Sequence, residues 1–388
     1  MFVTDVELVD FRNYEHATLQ FAPGANVLTG PNGHGKTNIV EAVAYLASLS
    51  SHRVATDVPL VRLGAQQAIV RAKVTAGLDD RRSLTLELEI NSGAANRARL
   101  NGVPRRPRDL LGCLRVVAFT PDDLGIVEGD PAERRNALDD VVQQRWPRLL
   151  GVKLDYDKVL RQRNALLKAA CGRGRLDAEA AATLDVWDAQ LVAAGTELVL
   201  ARARTIADLS PHLAEAYAAI APATSAARAE YAPRLDALRR YLGEGDPARD
   251  DVAALLAQGL GDRRADEVRR GVSLVGPHRD EIELHIGELP AKGYASHGEA
   301  WSLALSWRLA AFGLLRAEAS EPVLILDDVF AELDAGRRRS LADAAGAAEQ
   351  TLITAAVLDD VPDSLWGHRF DVSSGTVAEH RSVGVPVR

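Results

Sequence analysis

Cysteine is scarce in this 388-residue chain, and Cys113 and Cys171 stand far apart with no CxxC pair or histidine cluster beside either. That argues against a disulfide scaffold or a zinc site and fits reduced structural thiols. Long apolar runs are missing as well. Asp5, Glu7 and Asp10 interrupt the N-terminus, and Arg308 breaks the most apolar later stretch, Ser302 to Leu315. Neither a signal peptide nor a membrane span is expected, so the reading is a soluble, cytoplasmic chain with no membrane partner. A positive excess is absent, with 46 Lys and Arg against 54 Asp and Glu. Any nucleic-acid contact must then come from a local basic surface. Aromatic residues are only 5% of the chain, and no stacking platform for unpaired bases is visible. No sequence repeat occurs, and alanine enrichment is the only compositional bias.

What is present is enough apolar residue, 47%, for a large core and two domains. Residues 1–130 are strand-rich: in LTLELEI, Leu84, Leu86, Leu88 and Ile90 face one way and Thr85, Glu87 and Glu89 the other. Gly77 to Asp80 and Asn101-Gly102 read as hairpin turns. Residues 131–270 turn to Ala-, Leu- and Arg-rich helical spacing, punctuated by Gly172, Gly174, Pro211, Pro222, Pro233 and Gly243 to Pro247. Strand texture returns within 271–388, in EIELHI (Glu281 to Ile286) and VLIL (Val323 to Leu326), the latter apolar throughout like a parallel strand covered on both faces. The expected fold is α/β, with antiparallel strands in its first part and an all-helical lobe inserted.

GPNGHGKT, comprising Gly30, Pro31, Asn32, Gly33, His34, Gly35, Lys36 and Thr37, matches G-x-x-x-x-G-K-[ST] in full. An apolar strand, Asn26 to Thr29, precedes it and an amphipathic helix, Lys36 to about Leu49, follows. Glycines let backbone N–H groups close around phosphate oxygens, the helix N-terminus adds positive charge, Lys36 reaches the β/γ-phosphates and Thr37 can ligate Mg²⁺. VLILDDVFAELD supplies the carboxylates such a site needs at a strand end: Asp327 to hold Mg²⁺ and Asp328 to orient or deprotonate the attacking water. Between these motifs, Ser296 and Glu299 have the spacing of a capping box at the start of a long helix. The same turn, with Gly298, is also a candidate γ-phosphate contact, in its own copy or another.

Together these residues resemble the ABC-type ATPase heads of the SMC and RecF group, with a close match to the RecF family. The resemblance runs nearly the whole chain: LVDFRNYEHATLQF, GPNGHGKTNIVEAVAYLA, SHRV (Ser51 to Val54), VVAFTPDDLGIVEGDPAERRNALD, GPHRDEIEL (Gly276 to Leu284), ASHGE and LILDDVFAELD. It implies an ABC-type P-loop ATPase lobe split by a helical lobe, ATP and Mg²⁺ as ligands, and an ATP-dependent homodimer on DNA. It also implies a role in loading RecA at single-strand gaps beside RecO and RecR, with slow, DNA-stimulated hydrolysis. By the same resemblance Arg12, Asn13 and Asn38 line the nucleotide pocket, and Gly30 to Thr37 form the Walker A loop. Asp327 and Asp328 form the Walker B pair. Ser296, His297, Gly298 and Glu299 form a signature turn acting on the partner's nucleotide, and Ala331, Glu332, Leu333 and Asp334 form the D-loop. Three positions depart from commoner forms: Glu299 replaces Gln, Asp328 replaces the Glu of transporters, and Thr354 occupies the switch position in place of His. Pro121-Asp122 sits about where a glutamine loop would fall.

For DNA, the best basic patch is Arg97, Arg99, Arg105, Arg106, Arg108 and Arg115 against the single acid Asp109, read as partly a Pro-interrupted loop. Weaker candidates are Arg134, Arg135, Arg161 and Arg163. Sparse aromatics favour duplex or junction backbone over stacked single-stranded DNA. The same patch also reads as a solvated face paired with acids. The competing functional readings are a transport ATPase subunit, disfavoured by Thr354, Asp328 and the long insert, and a phosphotransferase, which has little use for a signature turn. A long-armed SMC protein is disfavoured by the lack of a sustained heptad run between Pro131 and Arg270.

Overall fold

The structure is a computed structural model that describes all residues except His52, Glu244, Asp246, Ala319 and residues 174–175, 222–224 and 381–388. His52, Gly174, Pro222 and the two acids within Gly243 to Pro247, all named above, therefore lie outside the described residues. In chain order the first elements are β1 (Phe2–Phe11), β2 (Tyr14–Gln20), β3 (Gly24–Thr29), α1 (Lys36–Ser48), β4 (Gln67–Thr75), β5 (Ser83–Asn91), β6 (Arg97–Leu100), β7 (Val103–Arg105) and β8 (Val116–Phe119). Then come α2 (Gly125–Glu128), α3 (Pro131–Arg145), α4 (Arg148–Arg173), α5 (Ala178–Ile220), β9 (Ala227–Ala232), α6 (Asp236–Gly243), α7 (Arg249–Arg270), β10 (Glu281–Ile286) and β11 (Leu289–Pro290). The last are α8 (His297–Glu318), β12 (Val323–Asp327), α9 (Ala335–Gly346), β13 (Gln350–Ala355), β14 (His368–Ser373) and β15 (Thr376–His380).

These elements form two units, one of residues 1–127, 212–227 and 295–388, the other of residues 128–211 and 228–294. The first unit holds two six-stranded sheets. One, ordered β2-β1-β4-β5-β6-β7, is antiparallel throughout, as the period-two alternation of β5 requires. Its β6–β7 hairpin turns on Asn101 and Gly102 at φ 52° and 77°, the left-handed pair that a two-residue loop demands. The other sheet, β15-β14-β3-β13-β12-β8, is parallel apart from β15. All five residues of β12 are buried: Val323 and Ile325 join a core with α1 and the antiparallel sheet, while Leu324 and Leu326 join one with α8 and α9. Burying each such side chain contributes about 1.5–3 kcal/mol, so the strand that delivers Asp327 is held from both faces.

The second unit corrects the expectation of an all-helical insert. It is mainly helical but carries the sheet β11-β10-β9. In β9, Ala227, Ala229 and Tyr231 are buried while Arg228 and Glu230 are exposed, a strand period concealed in an alanine-rich stretch that also suits a helix. The unit also runs to Tyr294 and not to 270, because EIELHI pairs within it. Pro211 does not punctuate: it lies inside α5, one residue after Ser210, whose hydroxyl donates back to the Ile206 carbonyl at 2.7 Å.

Candidate functional site

The glycine-rich loop between β3 and α1 takes its shape from backbone angles that side chains rarely allow. Gly30, Gly33 and Gly35 sit at φ 146°, 81° and 114°. A Cβ on Gly35 would stand 2.6 Å from the Tyr14 hydroxyl and 2.7 Å from Asn13 Nδ2, and one on Gly30 would meet the Val372 carbonyl. Lys36 is buried, and its Nζ donates to the carbonyls of Gly30 at 2.8 Å and Pro31 at 3.3 Å and to Asn32 Oδ1 at 3.3 Å. The ammonium is thus curled inside the loop. Asn13 braces the loop, donating to the His34 carbonyl at 3.1 Å and accepting from Asn38 Nδ2 at 2.7 Å.

Parallel pairing then brings three strand ends together. In register, Thr354 of β13 lies opposite Asp327 of β12 on one side and Leu28 of β3 on the other. Thr37 donates to Asp327 Oδ1 at 2.9 Å, and Thr354 donates to the same oxygen at 2.5 Å. The Thr354 hydroxyl also accepts the Asp328 N–H at 3.0 Å. Asp328 adopts φ 53°, a left-handed angle uncommon outside glycine, so its carboxylate leaves the strand in a direction that β12 alone would not give it. The Thr354 hydroxyl, expected at the switch position, therefore holds the Asp327 carboxylate and the Asp328 backbone together. Thr37 and Asp327 set two hard oxygens side by side above a glycine cradle, a donor set that fits Mg²⁺, which would neutralise charge between the terminal phosphates of a bound triphosphate.

Arg12, expected to line the pocket, donates to both carboxylate oxygens of Glu41 on α1, at 2.8 and 2.5 Å. Burial raises the Glu41 pKa, but hydrogen bonds from Arg12 and Ser51 and the charge of Arg53 outweigh it, leaving the carboxyl below its usual range. Arg53 bridges Glu41 at 3.2 Å and Asn38 Oδ1 at 2.7 Å. Sequence reasoning passed over Glu41 and Arg53; the one available signal was a carboxylate amid the apolar positions of IVEAVAYLA.

At the start of α8 the capping box forms. Glu299 Oε2 accepts from the Ser296 N–H at 2.9 Å and from its hydroxyl at 2.7 Å, and the Glu299 N–H donates to Ser296 Oγ at 3.3 Å. These bonds, the hydroxyl's first, lower the Glu299 pKa. The charge that replaces Gln is turned back onto its own turn. Ser296, His297, Ala331, Glu332 and Asp334 are exposed and Leu333 is buried. Asp334 caps α9 by accepting the N–H groups of Gly336 and Arg337. Pro121 and Asp122 lie in a short turn whose Asp123 accepts from Arg308 at 2.7 Å.

The basic patch is less loop-like than expected. Arg97 and Arg99 lie on β6 opposite Glu89 and Glu87, with ion pairs of 3.5 and 3.1 Å. Arg106 pairs with Asp109 at 3.4 Å, whereas exposed Arg105 and Arg108 make no ion pair among the described residues. Arg115 is less open than the rest of the patch: it is half-buried, its Nη1 is buried with no partner among the described residues, and burial lowers its pKa. Of the weaker candidates, Arg134 is buried on Glu281 and Arg163 on Asp188 and Glu267.

The profile of the RecF/RecN/SMC N terminal domain matches residues 2–360. The DNA replication and repair protein RecF of Cutibacterium acnes is 55% identical over 385 residues, spanning 97% of this chain and 98% of its own. This chain belongs to the RecF family. The RecF of Streptomyces avermitilis is 52% identical over 380 residues, covering 97% of this chain and 99% of its own. Among solved structures, the recombination mediator protein RecF-ATPrS in the RecFOR pathway superposes with a TM-score of 0.86 at 25% identity, over 97% of this chain and 98% of that one. An SMC head bound to a winged-helix domain of ScpA, at 16% identity and a TM-score of 0.55 over 98% of this chain and 97% of its own, shares the fold alone. Among the described residues no helix is long and apolar enough to cross a membrane.

Proposed function

We propose that this RecF family member is an ATP-switched DNA clamp: ATP held by the Gly30–Thr37 loop of one copy is completed by the Ser296 turn of another, and slow hydrolysis reopens the dimer. The observation that carries this reading is the convergence of Thr37, Thr354 and the Asp327–Asp328 pair, together with an exposed Ser296 turn. Lys36 would exchange its loop carbonyls for phosphate oxygens, and Thr37 and Asp327 would hold Mg²⁺. Asp328 would orient the attacking water at a rate limited by its short carboxylate. The clamp's partner would be duplex DNA or a single-strand/duplex junction, met through backbone phosphates by Arg105 and Arg108 first. Family membership supports RecA loading beside RecO and RecR as the outcome, and the cytoplasm as the place.

Solution mass by light scattering, with Mg²⁺ and either ATP or ADP, tests the clamp on wild-type protein and Ser296→Arg in parallel. The expected result is a wild-type dimer with ATP alone, lost in the variant. A Ser296→Arg protein that dimerises like wild type would refute the trans contact.

A further inference from the structure

In the proposed clamp the signature turn faces the partner, and by the same family resemblance the D-loop lies across that interface; one side chain ties the two together. Arg337 stands on the first turn of α9, three residues beyond Asp334 and half-buried. Its Nε donates to Ser302 Oγ on α8 at 2.7 Å, and its Nη1 pairs with the Asp334 carboxylate. Ser302 in turn donates to the Gly298 carbonyl at 2.9 Å. The guanidinium also lies against Gly298 itself, where an added Cβ would sit 2.8 Å from Nη2. Glycine at this position thus leaves room for the arginine.

We infer that Arg337 is a positioning residue that locks the D-loop to the signature turn, so that seating Asp334 against a partner sets the Gly298 backbone and Ser296 in the same movement. A planar fork suits this task, because one guanidinium reaches a hydroxyl and a carboxylate at fixed mutual angles. Lysine offers one compact charge on a flexible stem, without that fixed geometry, and would hold the two less firmly. The role deepens the trans-site reading above and rests on it, but the lock itself exists within a single copy and is testable there.

The test compares wild type, Arg337→Ala, Arg337→Lys and Ser302→Ala. Three readouts are needed: amide hydrogen exchange across residues 298–302 without nucleotide, ATP affinity of the monomer, and mass with ATP by light scattering. In Arg337→Ala, exchange at 298–302 should rise about tenfold or more, as expected for losing a charge-assisted hydrogen bond. ATP affinity should stay within about twofold while ATP-dependent association weakens about tenfold. Arg337→Lys should fall between, and Ser302→Ala should loosen the turn while leaving the Asp334 pair. Unchanged exchange in Arg337→Ala overturns the lock whatever the dimer does. Faster exchange with undiminished association overturns its positioning role. A wild type that stays monomeric with ATP, beside altered exchange in the variant, overturns the trans-site reading and leaves the intramolecular lock standing alone.

Discussion

Replacing Thr354 by Val removes one oxygen and keeps the shape of a fully buried β-branched side chain. Two bonds go with that oxygen: the 2.5 Å donation to Asp327 Oδ1 and the acceptance of the Asp328 N–H at 3.0 Å. The second is partly backed up, since the Asp328 N–H also reaches the Thr354 carbonyl at 3.2 Å. The first is a hydrogen bond to a buried carboxylate, worth about 1.5–3 kcal/mol, and its loss leaves Thr37 at 2.9 Å still holding the same oxygen. A net destabilisation of about 2 kcal/mol follows, read as a lower urea midpoint at unchanged slope. The functional effect should be larger. Partners that orient a metal-ligating carboxylate are worth about 10–100-fold in metal affinity, so the Mg²⁺ concentration for half-maximal ATP hydrolysis should rise by that factor. Thr354→Ser, which retains the hydroxyl, should recover most of the loss. A Val variant with wild-type Mg²⁺ dependence and urea midpoint would refute the claim that Thr354 sets the acids.

Lys36→Ala should weaken ATP binding at least about tenfold, measured with a fluorescent ATP analogue, because the variant has no charge to offer the phosphates; unchanged affinity would mean the lysine stays on its own loop carbonyls. Asp328→Asn should bind ATP normally and accumulate as the dimer by light scattering, and a monomer at saturating ATP would contradict the clamp. Charge reversal at Arg105 and Arg106 should lower DNA affinity at low salt and flatten its log-log salt dependence by about 0.9 for each phosphate no longer neutralised, with ATP affinity untouched. In the second unit, burial depresses the His278 pKa from 6.5 to about 4, with Tyr156 hydrogen-bonded to its Nδ1 at 2.6 Å. The unfolded chain then binds more protons between these values, so stability is complete above pH 6.5 and falls toward pH 4 by at most about 1.4 kcal/mol per unit. His278→Asn should flatten that slope in urea titrations, and an unaltered slope would show that other groups set it.

The sequence disclosed those features whose cause is local. The Gly30–Thr37 loop was legible because three glycines and a lysine at fixed spacing have few other uses, and β12 because an uninterrupted apolar run ending in two acids has a strand's length. The Asn101-Gly102 turn was legible because those residues tolerate positive φ. Features that depend on partners distant in the chain were not. Arg12 finds Glu41 29 residues away only once α1 packs against the antiparallel sheet, and Arg99 meets Glu87 only through the β5–β6 register. Arg115 looked like one more surface arginine because nothing in its neighbours announces that its backbone accepts the Val323 N–H beside the central sheet. The strand β9 was hidden for a different reason: alanine fits both periods, so only Tyr231 and the two charged residues carried its alternation.

The central sheet also explains why the catalytic candidates can be so few. Adjacent parallel strands end at the same level, so residues at the ends of β12 and β13 and beyond β3 meet without any long reach, and one hydroxyl on the middle strand touches the Asp327 carboxylate and the Asp328 N–H of its neighbour. The Thr354 hydroxyl is committed twice, to the Asp327 carboxylate and to the Asp328 N–H, so in the proposed clamp nucleotide state would be felt through Asp327 and Asp328. Asp328 leads directly into the short turn Phe330–Glu332 and on to the Asp334 cap of α9. Within that proposal, the acids themselves would pass the presence of a γ-phosphate to the face where a second copy would bind.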